Sequence, residues 1–336
     1  MKKLSEEHKK YLLNKIRRSI FKKNKRHRKY ALENIKTPEN MNLNENYDET
    51  VKFFNKLRSA CEETKKRFII DFKPLKKISP AAALAFTAEI DRIKRIKCFR
   101  RMRVIDFKKW DRNIRLQLRD MGMFELLNVS NLPAKFNYEK NDSEDFYIPF
   151  QAGDIASGED ALKLGTLLSA LIQGSVPSPR ALQKGLTEAM TNSINHAYPE
   201  DYLSNNLLKK RLWWMSASLN IKNKMLTIMF YDEGIGIPNS LPRTHTEYFK
   251  SFGGLLNDDA QRIQAATQLS RTSTKQKTRG KGLKDIKDYI TSNIEGMLKI
   301  FSYRGEYMYL SEGTESVKNR EESLKGTLIQ WKVRLQ

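Results

Sequence analysis

The chain has 336 residues, 62 Lys and Arg against 39 Asp and Glu, and a formal net charge of +23. That length holds two domains, each with its own core. No run of about 20 apolar residues is present to span a bilayer, and the lysine-rich start has no apolar segment behind it to act as a secretory signal. Only Cys61 and Cys98 occur, without metal-ligand spacing, so composition predicts structural thiols, a reducing cytoplasm and no zinc site.

Residues 1–40 read as a basic helical arm. Thirteen Lys or Arg and two acids, Glu6 and Glu7, fall within the first thirty residues. Tyr11, Leu12, Ile16, Ile20 and Phe21 recur at helical spacing. The Lys22–Lys29 cluster suits a phosphate backbone, and so nucleic acid, though it equally suits a solvated arm or an acidic protein. The short apolar face, lacking Trp, speaks against a membrane surface.

Residues 41–140 alternate helix and strand, which predicts a small α/β layer unit. The expected strands are Arg67–Phe72 and Met102–Phe107. The expected helices are Pro80–Arg95, rich in alanine, and about 112–119. A strand ending in Asp-Phe, a short loop, a helix of small residues, a strand and a helix ending in Gly resembles a STAS domain. The resemblance implies a protein partner and a phosphoacceptor at the start of the small-residue helix, where this chain has Pro80. The adjacent Ser79 reads as the N-cap of a helix whose first residue is proline. Residues 141–158 read as a linker with an edge strand, Phe146–Phe150.

Residues 159–336 carry the motifs. A helix over Pro179–Ala197 aligns Glu188, Asn192 and His196 at i, i+4 and i+8. A carboxylate and an amide oxygen on one face suit activation of an attacking hydroxyl and coordination of a hard cation, respectively. Trp213–Asn220 alternates like a half-buried strand, and a second strand, Met225–Tyr231, leads into Asp232-Glu233-Gly234-Ile235-Gly236-Ile237. A carboxylate at a strand end can accept a hydrogen bond from an exocyclic amine. Glycines beyond it allow a tight turn and close approach of a flat base. Downstream, Gly280-Lys281-Gly282-Leu283 opens a helix over Lys284–Ile290 and offers backbone N–H groups to phosphate, without Walker or Rossmann spacing. Lys325–Trp331 begins a closing strand with a Gly326-Thr327 pair.

In this order the elements resemble the N box, the two glycine boxes and the closing Thr strand of the GHKL ATPases and kinases. The resemblance implies a two-layer α/β sandwich of the Bergerat type, with a mixed sheet backed by helices, and ATP and Mg2+ as ligands. Position by position, it implies Glu188 as catalytic base, Asn192 as magnesium ligand and Asn195 as a phosphate contact. Asp232 would read adenine, with Thr327 assisting through water. Gly234, Gly236 and Ile237 form the first glycine box, and Gly280, Lys281, Gly282 and Leu283 the second. Residues 239–279 would be a mobile lid containing a helix, Asn257–Ser270, and a basic run, Arg271–Arg279. From that run Lys275 and Arg279 could clamp a triphosphate.

None of the four histidines has the setting of a histidine-kinase phosphoacceptor. The expected function is an ATP-hydrolysing switch whose lid closure controls a partner or an ATP-dependent homodimer interface. A serine/threonine kinase of the anti-sigma-factor type and a non-catalytic ATP-binding module are the alternatives.

Overall fold

The computed structural model describes residues 33–62, 67–96, 102–127, 144–252, 256–269 and 283–335. The fold is mixed α/β, and its two units form one stack of layers.

In the first unit β1 (Glu33–Lys36), β3 (Phe68–Asp71) and β5 (Met102–Val104) make a parallel sheet in that order. β2 (Asn40–Met41) and β4 (Lys77–Ile78) form a separate short parallel pair. Helices α1 (Tyr47–Glu62) and α2 (Pro80–Arg95) cross between the sheet strands, and α3 (Arg112–Asp120) and α4 (Met123–Leu127) close the unit. β1 lies in the stretch expected as a basic arm. Ile35, the one strongly apolar side chain of this four-residue strand, is fully buried, too weak a pattern to mark a strand. The rest of the expected arm, 1–32, lies outside the described residues.

α2 keeps its expected bounds. The Ala82 N–H donates to Ser79 Oγ at 3.3 Å, so Ser79 is the N-cap, with Pro80 in the first turn. Every residue from Ala81 to Ile93 is buried. A helix with no solvent face needs cover on all sides, and small residues allow two sheets to approach it.

The second unit contains β6 (Asp145–Gly153), β7 (Trp213–Asn220), β8 (Met225–Asp232), β9 (Gly296–Leu310) and β10 (Glu315–Arg334), ordered β6-β7-β8-β10-β9. Every neighbouring pair is antiparallel, where the resemblance implied a mixed sheet. The long crossover from β8 to β9 joins like-directed strands, but β10 inserts between them and no parallel pair forms. The helices are α5 (Gly158–Ile172), α6 (Pro179–Asn192), α7 (Glu200–Asn205), α8 (Gly236–Thr244), α9 (Thr246–Ser251), α10 (Asp259–Gln268) and α11 (Leu283–Thr291).

Strand alternation divides the sheet into two faces. Trp213, Met215, Leu226, Ile228, Phe230, Ile329 and Trp331 pack with α5, α6 and α11. Trp214, Met229, Tyr231, Leu324 and Leu328 join the core of the first unit, where α1 and α2 lie on the opposite face. β7 is therefore buried on both sides, and the half-buried reading fails because the first unit supplies the second cover. Trp214 Nε1–H donates to Asp91 of α2 at 2.9 Å across this boundary.

Cys61 at the end of α1 is disulfide-bonded, not the free thiol that composition predicted. The other cysteine, Cys98, lies outside the described residues. Arg92 Nη1 is 2.5 Å from Glu62, so the C-terminal turns of α1 and α2 lie side by side. Among the described residues no helix is long and apolar enough to cross a membrane.

Candidate functional site

Asp232 ends β8, opposite Trp213 on one side and Thr327 on the other. Its side chain is almost wholly buried, and Oδ1 accepts the Gly234 N–H at 2.9 Å. Burial raises its pKa to about 7. The N–H groups of Gly234 and Thr327 pull it down, and the neighbouring Glu233 charge pushes it up.

The first glycine box bends back over the strand ends. Gly236 has φ +70°, and an added Cβ would meet Ser302 and Tyr303. The Ile237 N–H donates to Ser302 Oγ at 3.0 Å. Ser302 also bonds the Gly326 carbonyl at 2.8 Å and lies 3.1 Å from Thr327 Oγ1. Ser302 thus ties the first glycine box to the Gly-Thr pair. It belongs to β9, a strand not expected from the sequence, although Leu298, Ile300 and Ser302 alternate onto one face.

The helical path runs on from α6 to Ala197 as expected, but Ser193–Ala197 form a π-helical turn. Such turns recur where a helix is locally adapted at a functional site. Here the turn presents the Ala197 carbonyl to the Ile235 N–H at 2.8 Å. A Cβ at Gly234 would overlap Ala197, so this glycine serves helix-to-turn packing. Glu188 and Asn192 lie half-buried, one turn apart on α6. Burial raises the Glu188 pKa, Asn192 opposes the rise, and Asp285 of α11 adds to it. Asn195 and His196 are exposed, so the three-residue stripe does not continue as a uniformly half-buried face.

The site therefore brings together Glu188 and Asn192 on one helix and Asp232, Gly234, Gly236, Ile237 and Thr327 beyond its end. Ala197 lies nine positions beyond Glu188, about 13 Å along a helix axis. Leu283 opens α11 and packs on the core. Lys275, Arg279, Gly280, Lys281 and Gly282 lie outside the described residues.

Of the expected lid, α10 packs on β9, with Ile263 seated against Gly305 and the Arg304 N–H donating to Asp259 at 3.0 Å. Leu241, Ala265, Ala266 and Leu269 make a small apolar core of their own. A cleft of about 300 Å³ between α6 and α11, lined by Arg180, Lys184, Asp285 and Asp288 among others, does not include Asp232 or Thr327.

Residues beyond the motifs hold the turn. The Glu233 N–H donates to Tyr198 Oη at 2.9 Å, Tyr202 donates to the Glu233 carbonyl at 2.7 Å, and Tyr198 donates to the Leu212 carbonyl. Among the described residues no three His, Cys, Asp or Glu side chains converge as a metal cage. The Asn192 amide beside Glu188 fits Mg2+, which keeps several waters and takes phosphate oxygens as ligands. No protein-family model and no curated protein sequence matches the chain.

Proposed function

We propose that residues 159–336 bind ATP in the manner of the GHKL proteins and hydrolyse it, with nucleotide-dependent movement around the site controlling a partner or dimer interface. The observation that carries this reading is the meeting of separate motifs at one place. The Ala197 carbonyl joins the Glu188–Asn192 helix to the Asp232 turn, and Ser302 joins that turn to Thr327.

In this reading Asp232 accepts from the adenine amine, and Thr327 supports it through water. Asn192 holds Mg2+, which would neutralise charge developing on the phosphates. Glu188 orients and deprotonates the attacking water, a role favoured by a raised carboxyl pKa. The first unit and the basic arm are the surfaces offered to a protein partner and to nucleic acid. The kinase reading gains no support from Ser79, whose hydroxyl oxygen is used as a helix cap.

Binding is tested by calorimetry with Mg-ATP and Mg-GTP on the wild type and Asp232→Asn. The proposal expects ATP to be preferred and the substitution to weaken it roughly tenfold or more, as for loss of a hydrogen bond to a charged group. Equal affinity of the two proteins for ATP would remove Asp232 from the base-reading role.

A further inference from the structure

At the end of β8 two successive side chains serve opposite faces. Leu226, Ile228 and Phe230 point toward α6, and Met229 and Tyr231 toward α1 and α2. By the same alternation Asp232 belongs to the first face and Glu233 to the second.

The Glu233 side chain is 4% exposed and lies between two guanidinium groups of the first unit. Arg58 Nη2 of α1 is 3.4 Å from Oε1, and Arg92 Nε of α2 is 3.3 Å from Oε2. Both arginines also pair with Glu89 of α2, and Arg92 pairs with Glu62 of α1. Lys325 of β10 adds a third cation. Burial, then Arg58, lowers its pKa to about 8, while Glu233 acts in the opposite direction. Three carboxylates and three cations thus gather beneath the turn that carries Asp232. From the other side Tyr198 and Tyr202 hold the backbone of Glu233.

We infer that Arg58 and Arg92 are positioning residues for the nucleotide site, acting through Glu233, so that the first unit is part of the frame that places Asp232. The inference rests on the ATP-binding reading above. Packing alone does not call for these charges, because Trp214, Met229, Tyr231, Leu324 and Leu328 already make the interface apolar. A buried ion cluster is often no more stabilising than apolar residues of similar size, whereas leaving one member unpaired is strongly unfavourable. Glu233 therefore cannot move without taking α1 and α2 along or abandoning its partners. A nucleotide that favours one placement of Asp232 favours one placement of these helices, and the coupling is reciprocal.

The test measures Mg-ATP affinity against pH for the full-length wild type, Glu233→Gln and Arg92→Gln. Removing the Glu233 charge should move the pH midpoint of binding down, and removing the Arg92 charge should move it up. Each shift should be roughly half a unit, or about threefold in affinity below the midpoint. A purely structural contact would give no such opposed pair. Amide exchange of the wild type provides a reading that needs no variant. Mg-ATP should slow exchange in residues 47–62 and 80–95 as well as in 232–237. Wild-type binding with unmoved midpoints, or without protection of the two helices, overturns this inference alone. A wild type that does not bind ATP overturns the reading beneath it, and this inference with it.

Discussion

Asp232 holds its proton up to about pH 7, because burial penalises the charge more than two backbone N–H groups favour it. An unfolded Asp loses its proton near 4. Between those values the native state binds more protons than the unfolded one, so this group's contribution to stability falls as pH rises from about 4 to about 7 and then levels. Urea denaturation at several pH values should show that fall in the wild type and a smaller one in Asp232→Asn. In the proposed ATP site the ionised carboxylate is the stronger acceptor for the adenine amine, so ATP affinity should rise as pH increases through about 7, with proton release visible in calorimetry across buffers. Gly234→Ala places a methyl group against Ala197; overpacking of this kind costs about 1–3 kcal/mol, measurable as a lower urea midpoint at unchanged slope. Glu188, Asn192, Asp232 and Thr327 of the candidate site stand out in the sequence because the chemistry proposed for them lies in the motifs. Glu233 and Ser302 do not, because their roles depend on partners distant in sequence, Arg92 and Gly326.

At the scale of elements, α2 was legible nearly to the residue. Its cap, first-turn proline and small residues are local signals, and Ser79→Ala should lower stability by about 1 kcal/mol in thermal or chemical denaturation. β7 and β8 were equally clear from their apolar runs and the Asn223-Lys224 turn. β1 was lost in its polar flanks, and β9 went unassigned. The π-helical turn also left no pattern, since its form answers to the Ile235 N–H and to Gly234 rather than to local preference. Part of the expected lid is a packed group of helices with its own apolar contacts. A closing motion that carries α10 has to move it against β9.

For the whole molecule, the α/β class and the presence of two units follow from the order of elements, but their mutual packing does not. The five-stranded sheet lies between α5, α6 and α11 on one face and α1 and α2 on the other. Double-sided burial is hidden in β7, where Ser216 and Ser218 give the alternation of a half-buried strand although both are buried. A chain starting at residue 141 would expose Trp214, Met229, Tyr231, Leu324 and Leu328 together. It should aggregate or bind a hydrophobic dye where the full chain does not.

Hydrolysis of ATP with Glu188 as base is the activity proposed for the chain. Incubation with γ-labelled Mg-ATP, beside Glu188→Ala, tests it most directly. The wild type should release labelled free phosphate, and the variant should release it more slowly by roughly 10²–10⁴, with ATP binding retained. Label appearing on protein instead of in solution, bound ATP without turnover, or equal release by both proteins would contradict it.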